Sequence, residues 1–153
     1  MAATPFGTPS PFATLHHVCI VVRDVDASVS YYESIGVGPW RDYPPLTEYT
    51  LLAAPNPEAF YALRYKVADL DNVQLQLCQP PELDCPQRRF LDARGEGVFH
   101  IGFESGLETA AAAGAALGLT PLARGQRDDG SGFIYFDTAD RAGVVLLARQ
   151  SAR

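Results

Sequence analysis

The stretch Leu15-His16-His17-Val18-Cys19-Ile20-Val21-Val22 is rich in β-branched and apolar residues at successive positions. Such a run predicts a strand that is covered on both faces. Side chains alternate across a strand, so the side chain of His17 lies on one face and those of Val18 and Ile20 lie on the other. We expect the apolar face to pack against a helix and the face of His17 to line a closed site.

A helix is expected after this strand, over about Ala27 to Ile35. Asp24 can cap its first turn, and Gly36 can adopt the left-handed conformation that ends a helix. Runs of strand-forming residues follow the helix and are separated by proline-containing turns. The predicted strands lie near Glu48 to Ala53, Tyr61 to Val67 and Val73 to Pro80.

The same order of elements then repeats. The stretch Val98-Phe99-His100-Ile101-Gly102-Phe103 matches the opening strand residue by residue, and it precedes an alanine-rich helix and three further strands. The helix is expected over Leu107 to Leu117, and the strands near Leu119 to Ala123, Gly132 to Asp137 and Val144 to Arg149. The sequence therefore predicts a single α+β domain over residues 15–153, with halves of about 15–80 and 98–149, behind a flexible arm of residues 1–14.

Composition excludes several classes of partner. The formal net charge of −6 opposes general affinity for nucleic acid or for anionic lipid. No apolar run approaches the roughly 20 residues that span a bilayer. We expect a cytoplasmic protein with neither nucleic acid nor membrane as a partner, and three reduced cysteines, because their odd number and spacing fit no disulfide framework.

Polar residues recur on one face of three predicted strands. His17, Gln76 and His100 each lie on the face opposite to the apolar residues of their strand. A duplicated sheet that curls around a pseudo-twofold axis would bring His17 and His100 toward each other. A metal or a polar substrate is one interpretation of this set, and a hydrogen bond from each histidine to a neighbour is the other.

Four stretches resemble the signature blocks of the glyoxalase, bleomycin-resistance and dioxygenase superfamily, also called the vicinal-oxygen-chelate superfamily. They are LHHVCIVVRDVDASVSYYESIGVGPW, NVQLQLCQP, FLDARGEGVFHIGFE and GFIYFDTADRAGVVLLARQ, and they are most similar to the methylmalonyl-CoA epimerase-like branch. The resemblance implies two tandem βαβββ modules that form a cupped, eight-stranded mixed sheet with helices outside. It also implies that His17, Gln76 and His100 ligate a divalent metal.

One position departs from the family pattern. The last strand of the family carries a glutamate as fourth ligand, and Leu147 occupies its place here, on the substrate side. Loss of the anionic ligand predicts a weak or absent metal. Two imidazoles and an amide oxygen favour a transition metal, namely cobalt, nickel, zinc, manganese or iron, over magnesium or calcium.

The remaining candidates are weaker. Glu48 lies near the place where the epimerase-like branch carries a catalytic carboxylate, although an exposed glutamate is the commoner outcome. Trp40, Arg64 and Tyr135 are candidates for substrate binding, although aromatic residues such as Trp40 and Tyr135 more often serve in packing.

Two functions of different classes follow from the resemblance. The first is a metal-assisted epimerase, isomerase or lyase that acts on a small oxo-acid or acyl-thioester through an enolate-like intermediate. The alternative is a metal-free protein that binds or sequesters a small molecule, as in drug resistance. A ring-cleaving dioxygenase is disfavoured, because its iron site needs a carboxylate and Gln76 supplies none. The family also implies a homodimer.

Overall fold

The structure is a computed structural model of the 153-residue chain, and it describes residues 3–5, 7 and 9–152. Nine strands and five α-helices lie within these residues. The strands are β1 (Leu15–Val21), β2 (Arg41–Asp42), β3 (Leu51–Ala53), β4 (Arg64–Asp69), β5 (Gln74–Gln79), β6 (Gly97–Glu104), β7 (Pro121–Gln126), β8 (Gly132–Phe136) and β9 (Val145–Gln150). The helices are α1 (Val25–Ser34), α2 (Pro57–Tyr61), α3 (Pro86–Arg94), α4 (Leu107–Leu117) and α5 (Ala139–Ala142). None of these helices has the length and apolar character needed to cross a membrane.

The chain divides into two compact units. The first unit comprises His17–Leu46 and Asn56–Phe99. The second unit comprises Met1–His16, Thr47–Pro55 and His100–Arg153.

The first unit is a four-stranded mixed sheet with helix α1 against one face. Its strands follow the order β2-β4-β5-β1, in which β1 is parallel to β5 and the other pairs are antiparallel. The Asp24 side chain accepts a hydrogen bond from the Ala27 amide at 3.0 Å and so caps α1, as its position predicts. Val22, Val25 and Leu77 form the buried cluster between helix and sheet.

The second unit is a five-stranded mixed sheet with helix α4 against one face. Its strands follow the order β6-β9-β8-β7-β3, with β6 parallel to β9 and the rest antiparallel. Helix α4 packs on one face and buries Leu107 and Ala110 against Ile134 and Phe136. A Cβ at Gly114 would lie 2.5 Å from the ring of Phe136, so the helix approaches the sheet this closely only because the residue is glycine.

Strand β3 pairs with a strand that is distant in sequence. Leu51–Ala53 runs antiparallel to β7, with Leu52 opposite Gly125. Residues 47–55 therefore belong to the second unit, although the rest of the segment between 17 and 99 belongs to the first. As a result, Glu48 and the residues next to it are neighbours of the β7–β8 hairpin.

The last residues of the predicted arm pack against strands β6 and β8 of the second unit, to which they belong. The ring of Phe12 lies 5.4 Å from that of Phe103 and 6.0 Å from that of Phe136. The carbonyl oxygen of Thr14 accepts a hydrogen bond from the amide of Glu104 at 2.8 Å. Residues 1, 2, 6 and 8 lie outside the described residues, and the flexibility of the arm stays a prediction.

The predicted α+β class is confirmed, and α4 has the predicted bounds. The prediction of eight strands missed β2, which has only two residues and no periodicity to detect. The predicted loop segments also contain three unpredicted helices. Two of them, α2 and α3, have proline in their first turn. Proline is favoured there because its missing N–H has no helical partner at that position, so it marked the start of a helix rather than a turn.

Candidate functional site

The first unit places His17 and Gln76 on one face of its sheet. In the register of β1 and β5, His17 lies opposite Gln74 and Cys19 lies opposite Gln76. Residues two apart on a strand share a face, so all four side chains point to the same side. His17 and Gln76 are only 3% and 5% exposed. These two predicted ligands are therefore buried neighbours on adjacent strands.

A chain of hydrogen bonds leads from Gln76 to the edge of this sheet. The Nε2 atom of Gln76 donates to Oε1 of Gln74 at 2.8 Å, and Nε2 of Gln74 donates to Oδ1 of Asp69 at 2.9 Å. Oδ2 of Asp69 accepts from Nη2 of Arg41 at 2.9 Å. No local sequence pattern indicates this chain of hydrogen bonds, because Asp69 and Arg41 belong to other strands than Gln74 and Gln76.

The second unit places His100, Leu147 and Tyr135 on one face of its own sheet. Leu147 lies opposite Gly102 on β6 and opposite Tyr135 on β8. His100 is two residues before Gly102 and shares its face. The rings of His100 and Tyr135 lie 5.2 Å apart, and all three side chains are less than 5% exposed. The apolar side chain of Leu147 thus lies on the same face of the sheet as His100.

Burial keeps His100 neutral. Removal from water penalises the imidazolium and lowers the pKa of His100 from 6.5 to about 3. A neutral imidazole has a nitrogen lone pair, which can bind a metal ion or accept a hydrogen bond. His100 therefore has the protonation state that a ligand needs throughout the physiological pH range.

An aromatic row continues from His100 across the same unit. The ring of Tyr135 lies 5.0 Å from that of Phe133, which lies 5.0 Å from that of Tyr49. The guanidinium of Arg127 stacks on Tyr49 with its Cζ atom 4.0 Å from the ring centre. The sequence did not identify Arg127 or Tyr49, because their contact depends on the pairing of β3 with β7.

Glu48 lies at the end of this row. Its Oε1 atom is 3.7 Å from Nε of Arg127, and its side chain is 53% exposed. The Glu48 side chain is therefore exposed, which the sequence analysis gave as the commoner outcome for a glutamate. Glu48 offers a solvent-accessible carboxylate next to a largely buried guanidinium.

Two candidate residues of the first unit do not join the face of Gln76. Arg64 alternates with Tyr65 and Val67, so it lies on the opposite face from Val67, the β4 partner of Gln76. It forms an ion pair with Asp26 at 3.2 Å. Trp40 packs on the side of α1, with its ring 5.4 Å from that of Tyr32. Arg64 thus forms an exposed ion pair, and Trp40 packs against α1.

His16, which the alternation of β1 places on the other face from His17, has a separate partner. Its Nε2 atom lies 2.7 Å from Nη1 of Arg149. Arg149 also contacts Glu104 at 3.2 Å. This arrangement makes His16 a useful control for the proposed role of the other histidines.

The available donors fit a transition metal better than magnesium or calcium. Within residues 3–5, 7 and 9–152, no three His, Cys, Asp or Glu side chains are grouped to hold a metal ion. In the first unit, the buried neighbours His17 and Gln76 offer an imidazole nitrogen and an amide oxygen as donors. Imidazole suits zinc, copper, nickel and iron, whereas magnesium and calcium prefer several oxygen ligands.

Comparison with known proteins identifies the family. Residues 16–136 match the family model described as the glyoxalase, bleomycin resistance protein and dioxygenase superfamily. The chain belongs to this superfamily. The match covers both units and most of the stretches that carry the resemblance. No curated protein sequence matches the chain significantly.

Solved structures of methylmalonyl-CoA epimerases share the fold. The enzyme from Mycobacterium tuberculosis aligns with a TM-score of 0.72 and 21% identity, over 100% of this chain and 94% of that one. A variant of the Streptomyces coelicolor enzyme, in complex with 2-nitronate-propionyl-CoA, aligns with a TM-score of 0.71 and 24% identity, over 93% and 99%. An epimerase in complex with methylmalonyl-CoA and NH4+ gives 0.70 and 24%, over 92% and 96%.

Proposed function

We propose that this member of the superfamily is an epimerase, isomerase or lyase that acts on a small oxo-acid or acyl-thioester through an enolate-like intermediate. The observation that carries the proposal is the buried, neutral imidazole of His100 beside Tyr135. The likeness in fold to epimerases whose structures hold acyl-CoA compounds supports the substrate class. We further propose His17, Gln76 and His100 as ligands of a divalent transition metal.

The proposed roles follow from the chemistry of each side chain. A bound divalent ion would act as a Lewis acid on the carbonyl group of the substrate. His100 supplies a nitrogen lone pair, because burial keeps its imidazole neutral. Glu48 supplies an accessible carboxylate that takes a proton from the substrate carbon, and Nε of Arg127 lies 3.7 Å from that carboxylate.

A second function has its own supporting observation. Leu147 is 3% exposed, and the resemblance implies that the family carries an anionic ligand at its position. An apolar face that keeps Tyr135 and Phe133 but lacks a carboxylate suits a protein that binds a small molecule without metal chemistry. Cobalt binding and proton exchange distinguish this alternative from catalysis.

The first prediction concerns proton transfer and metal content. The protein loaded with cobalt is expected to exchange the C2 proton of methylmalonyl-CoA for deuterium in D₂O, as followed by NMR. His100→Ala should lose most of its bound cobalt in equilibrium dialysis and most of the exchange, because a ligand lone pair is removed. His16→Ala is the matched control and should retain both. Equal loss in the two variants would contradict the assignment of His100.

The outcome for other substrates separates the two functions. Absence of exchange with methylmalonyl-CoA and with a panel of 2-oxo acids, at full cobalt occupancy, would overturn the enzymatic proposal. Absence of cobalt binding, together with tight binding of an apolar small molecule, would favour the metal-free alternative. A cytoplasmic location stays a prediction.

The second prediction is a homodimer. Strands β2 and β3 are each the last in the strand order of their unit, and Leu51 on β3 is 67% exposed. Unpaired strand edges favour association, and closed two-fold dimers are the commonest solution. Light scattering at tens of micromolar is expected to give twice the chain mass of 16.6 kDa. A monomeric mass at that concentration would contradict the prediction.

A further inference from the structure

We propose that Asp69 and Gln74 are positioning residues that set the direction of the Gln76 side-chain amide, so that Gln76 offers its carbonyl oxygen to a ligand. The inference rests on the proposed function in one respect, the use of Gln76 in binding.

The strand register aligns the residues of this chain. Asp69 on β4 lies opposite Gln74 on β5, which lies opposite His17 on β1. The neighbouring row on the same face contains Gln76, Val67 and Arg41. The side chains of Asp69 and Gln74 are therefore neighbours across two strands, and those of Gln74 and Gln76 are neighbours along β5.

Asp69 determines which way each amide points. A carboxylate is ionised at neutral pH and only accepts hydrogen bonds. Its neighbour Gln74 must therefore direct Nε2 toward Asp69, and the distance of 2.9 Å agrees. Gln74 then turns its Oε1 toward Gln76, which must in turn donate from its own Nε2, at 2.8 Å.

The contact with Arg41 strengthens this direction. Oδ2 of Asp69 accepts from Nη2 of Arg41 at 2.9 Å and from Nε at 3.3 Å. A rotated amide at Gln74 would place its oxygen against the carboxylate, and the two acceptors would repel. The nitrogen and oxygen ends of an amide are nearly the same in shape, so packing alone does not determine which end points where. A carboxylate at the end of a chain of amides does determine it, because the carboxylate only accepts hydrogen bonds.

The direction has a consequence for ligand chemistry. Since one N–H of Gln76 Nε2 donates to Gln74, the nitrogen end of the amide lies toward Gln74 and the Oε1 end is turned away from it. A carbonyl oxygen attracts a metal cation or a hydrogen-bond donor and repels a carboxylate or phosphate. We therefore infer that Gln76 contacts a cation or a donor group of the substrate rather than an anionic group.

Three variants distinguish an effect on the orientation of the Gln76 amide from a general effect on the structure. Gln74→Met removes the acceptor at nearly constant volume, so the amide of Gln76 loses its fixed direction. Gln74→Glu keeps an acceptor for Gln76 but sets a second carboxylate against Asp69. The double variant Gln74→Glu with Asp69→Asn restores the hydrogen bond between positions 74 and 69. In it the amide nitrogen at position 69 donates and the carboxylate at position 74 accepts.

Cobalt affinity, measured by titration of the visible absorption bands, is the first readout. Partners that orient metal ligands typically change affinity by about 10- to 100-fold, so Gln74→Met is expected to weaken cobalt binding by about that factor. The double variant should recover to within roughly 3-fold of wild type, because its acceptor for Gln76 is intact. Unchanged cobalt affinity in Gln74→Met would overturn the proposal.

A matched control uses Asp84, another exposed aspartate with two guanidinium contacts. Asp84 accepts from Nε and Nη2 of Arg89 at 2.8 and 2.7 Å and is exposed to a similar degree as Asp69. Asp84→Asn should leave cobalt affinity unchanged, whereas Asp69→Asn should lower it. Equal effects would show that only loss of a surface ion pair was measured and would overturn the assignment of Asp69.

NMR of the metal-free protein tests the orientation separately from the function. The side-chain amide protons of Gln76, assigned with Gln76→Leu, are expected to exchange slowly with solvent in wild type and in the double variant. Exchange should be faster in Gln74→Met. If wild type binds no cobalt but shows this pattern, the proposed metal role fails and the positioning role stands. If exchange is equally fast in all variants, the positioning role fails.

Discussion

Leu147→Glu is expected to make the thermal stability of this protein depend on a divalent metal ion. The side chain of Leu147 is buried between Gly102 and Tyr135 on the face of His100. A carboxylate there loses its hydration and should cost about 1–3 kcal/mol of unfolding free energy. The melting temperature in chelator should fall by on the order of 2–10 °C for a chain of this size. Cobalt, nickel or zinc should restore it, since binding to the native state raises apparent stability.

The neighbouring position supplies the control for this experiment. Leu146 alternates with Leu147 and lies on the face of β9 toward α4, partly buried. Leu146→Glu should therefore also lower the melting temperature, but added metal should not restore it. Differential scanning fluorimetry of both variants with EDTA and with cobalt decides the matter. Identical melting of Leu147→Glu in the two conditions would require the assignment of metal ligands to be withdrawn.

Acid is expected to destabilise the protein through His100. The pKa of this histidine is about 3 in the folded state and near 6.5 when unfolded, because burial penalises the imidazolium. The unfolded state therefore binds more protons between these values, and stability is lost as the pH falls below 6.5. The loss amounts to about 2 kcal/mol at pH 5 and approaches roughly 4–5 kcal/mol near pH 3.

Urea denaturation at pH 7 and pH 5 measures this effect. His100→Gln removes the titrating group and should reduce the difference in unfolding free energy between the two pH values by about 2 kcal/mol. His16→Gln, which changes a less buried histidine, should retain most of that difference. The same pH dependence in wild type and in His100→Gln would show that His100 is accessible to protons in the folded state.

Local sequence patterns predicted the parts of this chain that depend on local physics. The alternation of the stretch Leu15–Val21 placed His17 and Cys19 on one face, and the structure buries both residues while leaving Val18 and Ile20 on the other face partly exposed. The alanine-rich run and Gly118 gave the correct bounds for α4, because helix propensity and a left-handed stop act over a few residues. The place of Leu147 came from the resemblance to the family, and its role stays a prediction. The joint role of His17, Gln76 and His100 stays a prediction.

These local patterns could not predict which strands pair with each other. Strand β3 pairs with β7, more than 70 residues further along the chain, and nothing in the local alternation of either strand names its partner. The stack of Arg127 on Tyr49 and the approach of Glu48 to Arg127 follow from that pairing alone.

The amino-acid sequence by itself determined the α+β class, the repeated order of elements and the residues that each strand directs to one side. These depend on side-chain periodicity and on turn-forming residues, which act within a single element. Only the tertiary structure decided that Gln74 and Asp69 orient Gln76 and that burial keeps His100 neutral. Hydrogen-bond direction and desolvation depend on which strands become neighbours, and that choice is made by the packing of the whole sheet.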